Sequence, residues 1–365
     1  MNYNIYFKEK LSKLLFLEIN KNGFLNALEI SNVKLKSEEL YLPISPDYLA
    51  KNIERENKIK NLPIYEFVEG MSFALGSDKN LKYNDDYKVL LLNIKDSIKF
   101  IKSRVAEKVK ENKLDDAYIM LRGLSHVDYS DEVFTKLLSL GESIRETDKE
   151  FATIFKEDID RYREINSTNP MPYLYDALIF RDDSKYNEAY KAFKEYFKLG
   201  GEKNDVIIEI YQNIEDIINF EEGKGLIENK PEEAIKKLIP LIDRFGDDAT
   251  LFYYIALCYR KVNNFEKAIY YLNESLALDS AIVETVNEMG INLASIGDYD
   301  NAIKYFRKAF EATRDVEICT NLIMSYINSG DLKQAKLHLE IAEKINKDDE
   351  IVKQLKDYIN NLPNK

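Results

Sequence analysis

An alanine returns at intervals of about 34 residues through the second half of this chain, and that spacing restricts the fold more than any other feature. Ala234, Ala268 and Ala302 stand 34 residues apart, and Ala335 follows 33 residues later. Each comes after a polar turn and is followed four residues on by Leu238, Leu272, Phe306 or Leu339. Three residues further stand Leu241, Ser275, Ala309 and Ala342. Steps of four and three place all three positions on one stripe of an α-helix. A second helical pattern precedes each turn: Val286, Met289, Gly290 and Leu293 in one copy, with Phe252, Ile255, Ala256 and Tyr259 in another. Cys319, Leu322, Ile323 and Tyr326 form a third. The unit is thus a helix–turn–helix hairpin, in which a small residue after Met289 or Ile255 lets antiparallel helices approach closely. A single hairpin of this kind cannot bury its apolar face alone, so copies must stack.

Upstream the pattern weakens but keeps its interval. Ala189, Phe193 and Tyr196 follow Tyr173 and Ala177, and an earlier copy is marked by Ala117, Leu121 and Leu124. Phe151 stands 34 residues after Ala117, where an alanine is expected. The recurrence predicts about seven hairpins between residues 98 and 349. Ala189 and Ala234 are 45 residues apart, so the stretch "NDVIIEIYQNIEDIINF" should hold extended helices or a bend. In the Ala234 copy the small residue is Gly223, one place late, which predicts a shorter turn with Pro231 opening the second helix. Ile351, Leu355 and Ile359 predict a final amphipathic helix that caps the stack.

The expected organisation is a non-repeat, mainly helical segment over 1–97, degenerate hairpins over 98–214, a regular array over 215–349 and a capping helix over 350–365. In the first segment, Ser45 and Pro46 make an N-cap and first-turn pair opening a helix through Lys60. Helices are also expected from Pro63 to Leu75 and from Asp85 onward. The stretch Leu14 to Ile44 fits either a degenerate repeat turn, by Phe24 and Ala27, or a hairpin around "NKNG". The helical reading is the preferred one.

The pattern of large, small, aromatic and alanine positions resembles the tetratricopeptide repeat (TPR) family, most specifically in the last four copies. The resemblance implies an all-α, right-handed superhelical solenoid whose first helices line a concave groove for extended or helical peptides. By place in the repeat, the groove would present Tyr253 and Arg260, then Asn287 and Ile291, then Thr320, Met324 and Asn328. Amides of this kind can bond a peptide backbone, while Met and Ile can form pockets for its side chains. The family's clamp for chaperone C-terminal tails needs Lys and Asn at first-helix places where this chain has Tyr253 and Leu257, so no such clamp is expected.

The plan of an N-terminal helical segment followed by an array also resembles bacterial quorum-peptide sensors of the Rap type. That resemblance implies a peptide-sensing regulator with an N-terminal effector bundle, as an alternative to a plain adaptor. The phosphatases of that type use a bundle glutamine, whereas the first glutamine here is Gln212. That activity is therefore not expected, and no basic helix-turn-helix points to DNA binding.

Little else in the sequence suggests chemistry. Cys258 and Cys319 form no disulfide framework or metal spacing, and His126 and His338 are the only histidines. No metal or cofactor is expected. The pairs Asp115/Asp116, Asp247/Asp248 and Asp348/Asp349 fall at helix starts, where a carboxylate caps the helix and complements its dipole. "EEGKGLIEN" lacks the full phosphate-loop spacing and lies within a predicted helix. Many of the 25 tyrosines, such as Tyr259, Tyr305 and Tyr326, take packing places in the repeat. A net charge of −12 opposes phosphate backbones and anionic lipid, so neither nucleic acid nor membrane is the expected partner. The reading is a non-enzymatic, cytoplasmic protein or peptide binder. Heavy use of Ile, Lys, Asn and Tyr suggests a bacterial source, and self-association is not indicated.

Overall fold

The computed structural model describes residues 1–31, 33–52 and 64–361. The chain forms two compact units, Met1–Tyr211 and Gln212–Lys365. Among the described residues the fold is all-α apart from one two-stranded ribbon.

The first unit begins with α1 (Tyr3–Leu11), β1 (Leu15–Ile19), α2 (Lys21–Ala27), β2 (Leu40–Ile44) and α3 (Pro46–Asn52). β1 and β2 pair antiparallel, with Leu17 opposite Leu42. The expectation of helix from Leu14 to Ile44 is therefore corrected on both flanks. Leu40, Leu42 and Ile44 recur at a step of two, and all three are buried, which is a strand's way of presenting one face to a core. "NKNG" does open a helix: Asn20 caps α2, its side chain accepting from Gly23 N at 2.8 Å. α3 starts at Pro46 as expected, and the rest of the helix expected through Lys60 lies outside the described residues.

α4 (Ile64–Ser77) and α5 (Asn84–Asn93) lead into three hairpins: α6 (Ser97–Lys110) with α7 (Leu114–Leu124), α8 (Asp131–Thr147) with α9 (Ala152–Ile165), and α10 (Met171–Asp182) with α11 (Tyr186–Lys198). One continuous core runs from Tyr3 and Phe7 through Val68, Met71, Tyr118 and Phe155 to Ile179. The N-terminal segment thus shares its core with the degenerate hairpins.

α12 (Asp205–Leu226) crosses the boundary between the units and absorbs the extra residues as a single 22-residue helix. It is followed by α13 (Pro231–Leu238) and a short α14 (Ile242–Phe245). Pro231 opens α13 as the shortened turn requires. Two-helix repeats then follow: α15 (Ala249–Lys261) with α16 (Phe265–Leu278), α17 (Val283–Ser295) with α18 (Tyr299–Thr313), and α19 (Val316–Ser329) with α20 (Leu332–Ile345). α21 (Glu350–Asn360) closes the stack with Val352, Leu355 and Ile359 buried. The second unit is a helical-hairpin solenoid.

The turn of each repeat explains why the alanine keeps its register. The side chains of Asn264, Asp298 and Asp331 accept from Lys267 N, Asn301 N and Gln334 N at 3.2, 3.3 and 3.0 Å. Each cap stands four residues before its alanine, and the residue just before the cap is left-handed: Asn263, Gly297 and Gly330 at φ 58°, 84° and 88°. The small residue of the first helix then meets the large residue of the second. A Cβ on Gly290 would lie 2.7 Å from the Phe306 ring, and one on Gly223 2.6 Å from Leu238. The same notch recurs in the degenerate copy, with Gly141 against Phe155.

Candidate binding groove

The first helices of the second unit's repeats, α15, α17 and α19, carry every residue that the repeat pattern assigns to a groove. α17 is the best furnished. Its Glu288 is only 5% exposed, yet its carboxylate pairs with the Arg260 guanidinium of α15. Asn292, fully buried on the same face of α17, donates from Nδ2 to Glu288 Oε1 at 3.1 Å and to Glu288 O at 2.8 Å. Burial pushes the Glu288 carboxyl above its ordinary range, with Arg260 and Asn292 opposing that shift. Tyr253 of α15 is pushed up to about 12 by burial and by the charges of Glu288 and Glu284. Arg260, Glu288 and Asn292 thus form one polar cluster shared by two helices.

Two acceptors in this region have no protein partner. Asn287 Oδ1 and Asn292 Oδ1 are both shielded from solvent and receive no hydrogen bond from the described chain. Buried acceptors of this kind each cost about 1–3 kcal/mol unless a donor reaches them.

The remaining groove positions sit differently. Ile291 is half-buried. Met324 is 46% exposed, and Asn328 is exposed with its Nδ2 donating to Met324 O at 2.9 Å. Thr320 is buried, its hydroxyl donating to Glu317 O at 2.7 Å, so it supports α19 and presents no contact surface. Sequence reasoning missed Glu288 and Asn292. Their signal was a Glu and an Asn four residues apart on one helix face, inside a helix otherwise packed by apolar residues.

Several of the other residues singled out from the sequence have structural partners. Asp248 and Asp349 cap α15 and α21. Asp116, in the first turn of α7, accepts from Lys10 at 2.7 Å. Cys258 and Cys319 are buried, and burial raises both thiols to about 11. "EEGKGLIEN" begins inside α12 and runs past its end. Among the described residues, no group of His, Cys, Asp and Glu is arranged to hold a metal ion, and no helix is long and apolar enough to cross a membrane.

The repeat itself is matched directly. Residues 284–315, from α17 through α18, match the tetratricopeptide repeat family, so the resemblance read from alanine spacing holds there. Among solved structures, MamA AMB-1 is similar at 18% identity over 40% of this chain and 81% of that one, with a TM-score of 0.37. PilW, a type IV pilus biogenesis factor, is similar at 15% identity over 62% and 99% of the two chains, with a TM-score of 0.37. YrrB, described as a TPR protein with an unusual peptide-binding site, shares 16% identity over 69% and 97%, with a TM-score of 0.29. At such TM-scores these likenesses add nothing to the repeat match. No curated protein matches the chain.

Proposed function

We propose that the chain is a non-enzymatic interaction scaffold that binds a protein or peptide segment along α15, α17 and α19. The observation that carries this reading is the row of residues that α17 and α19 leave at or near the surface, half-buried Asn287 and Ile291 and exposed Met324 and Asn328, with α17 lying in a stretch that matches a repeat used for protein interaction. The exposed Asn328 amide can accept through its oxygen from a backbone N–H of a bound segment. Ile291 and the exposed Met324 supply adaptable apolar surface for its side chains.

The test is selection of displayed random peptides on the whole chain, followed by calorimetric titration of the recovered sequences. The Asn287→Ala/Met324→Ala variant should bind them at least about tenfold more weakly, equivalent to about 1.4 kcal/mol. Its melting temperature should stay near that of the unaltered protein, because Met324 is exposed and Asn287 only half-buried. Equal binding by both proteins would sink the groove reading.

A further inference from the structure

The N-terminal ribbon has one closed edge and one open edge, and a proline fixes which backbone groups face each. Antiparallel neighbours alternate between pairs that exchange both hydrogen bonds and pairs that exchange none. Phe16 stands opposite Pro43, which has no N–H, so that pair and the Glu18–Tyr41 pair exchange none. The N–H and C=O groups of Phe16 and Glu18 therefore point away from β2, and the outward groups of Tyr41 and Pro43 point away from β1. On the β2 side the edge is closed. Tyr41 O accepts from the Tyr87 hydroxyl at 2.7 Å, Pro43 offers no donor, and the Pro43 carbonyl packs against Gly70 of α4, leaving no room for a Cβ there. On the β1 side, no described residue bonds the backbone groups of Phe16 or Glu18, although the Glu18 carboxylate accepts from the Tyr41 hydroxyl at 3.3 Å.

Side-chain burial has the same asymmetry. Leu40, Leu42 and Ile44 of β2 are at most 1% exposed, but of the residues opposite them Leu15 is 45% exposed and Leu17 and Ile19 are only half-buried. The apolar face of the sheet thus reaches β1 with no further strand to complete it. An open edge of this kind is a template for pairing with another chain.

We propose that β1 pairs antiparallel with β1 of a second copy of this chain, joining two ribbons into one continuous sheet. The strand Leu15–Ile19 is self-complementary about Leu17. With a two-fold axis there, Phe16 faces Glu18 of the second copy and Glu18 faces its Phe16, so each outward N–H finds an outward C=O. The same register sets Leu17 against its own copy and Leu15 against Ile19, which carries the apolar face across the junction. Neighbouring registers are poorer. An axis at Glu18 would oppose like charges. An axis at Phe16 would set Glu18 against Leu14, whose N–H is already bonded to Leu11 O at 3.0 Å. Because the outer edge of β2 is closed, the pairing stops at a symmetric dimer and does not run on into a fibre. This proposal does not depend on the α15–α17–α19 reading.

The experiment is sedimentation velocity of the full-length chain over a micromolar-to-millimolar concentration series. The unaltered protein should pass from monomer to dimer and form nothing larger. Glu18→Pro removes an outward N–H and leaves the bonds between β1 and β2 in place, so it should weaken dimerisation at least about tenfold while the circular dichroism melt changes little. A second pair of variants reads the register without that substitution. Under mild oxidation Leu17→Cys should cross-link two chains, because the pair at the axis brings its Cα atoms to about 4.5 Å. Glu18→Cys is more exposed but out of step with its copy, and should not cross-link. Cys258 and Cys319 are buried and do not compete. A chain that stays monomeric, dimerisation unmoved by Glu18→Pro, or equal cross-linking at both positions would overturn the proposal. A labelled extended peptide of alternating Val and Thr is the third arm: its capture along β1 by a chain that stays monomeric would assign the edge to a different protein's strand and overturn the dimer.

Discussion

Gly76 of α4 and Gly123 of α7 meet where the two helix backbones touch. A Cβ on Gly76 would lie 1.8 Å from the Ile119 carbonyl oxygen, and one on Gly123 1.8 Å from that of Ser72. The Ser72 hydroxyl donates to Met120 O at 2.9 Å across the same contact. Because the obstacles are backbone atoms, no side chain can turn aside to make room. Gly76→Ala or Gly123→Ala should therefore force the helices apart and cost about 3 kcal/mol or more, at the high end for overpacking. Gly225→Ala is the counter-case: it sits in α12 with nothing within 4 Å of an added Cβ, and should be neutral or stabilising by up to about 1 kcal/mol. Urea denaturation of the three variants checks both signs.

The same unit carries a buried ion pair whose rupture should be severe. Asp158 is 1% exposed, accepts from the Tyr118 hydroxyl at 2.6 Å, and lies 2.9 Å from Arg122 Nε. Asp158→Ala would leave the Arg122 guanidinium buried with the half-buried Glu157 as its remaining carboxylate and the Gly76 carbonyl at 3.3 Å. The expected loss is about 3–5 kcal/mol by denaturant titration. A loss below about 1 kcal/mol would mean that solvent already reaches Arg122.

His126 should make stability depend on mildly acidic pH. Burial, then the adjacent Arg161 guanidinium, lower its pKa from the usual 6.5 to about 3. In the unfolded chain it gains a proton near 6.5, whereas the folded chain keeps it neutral. Between these values the unfolded state binds more protons, so stability rises with pH and is lost as pH falls, by at most about 1.4 kcal/mol per unit. Glu66 and Glu288, both raised by burial, act in the opposite direction in part of that window. Comparison with His126→Gln from pH 6.5 to 4.5 isolates the histidine: the variant should lose less stability on acidification. Parallel curves would show that His126 is already protonated in the fold, or exposed.

Legibility in the sequence followed the local rules. The return of an alanine after a polar turn, with a large residue four places on, made α16, α18 and α20 readable, because caps and packing there are set within a single hairpin. The notch at Gly223 was readable with its one-place offset, since Leu238 fills it from the next helix. Gly141 was missed: it lies two places beyond the position counted back from Phe151, so the shared interval concealed it. The ribbon was missed because the side of β2 that faces the core is defined by distant partners, among them Tyr87, whose hydroxyl donates to Tyr41 O at 2.7 Å. Arg260 was legible as a first-helix residue of its repeat, but its engagement with Glu288 was not, because that pair joins two repeats.

Register in the array can be tested at the residue that first revealed it. Ala302 is wholly buried on α18, four residues after its Asp298 cap, in the cluster that includes Met289, Phe306 and Leu322. Ala302→Arg would drive a long, charged side chain into a contact with no space for it and no carboxylate arranged to receive it. Both overpacking and an unpaired buried charge oppose folding, each by several kcal/mol. Loss of helical signal or a sharply lowered melting temperature is expected in circular dichroism. Lys304→Arg, two residues away on the exposed side of the same helix, should change stability by less than about 0.5 kcal/mol. If the Ala302 variant melted like the Lys304 variant, α18 would have to be rotated from the orientation described, and the repeat register with it.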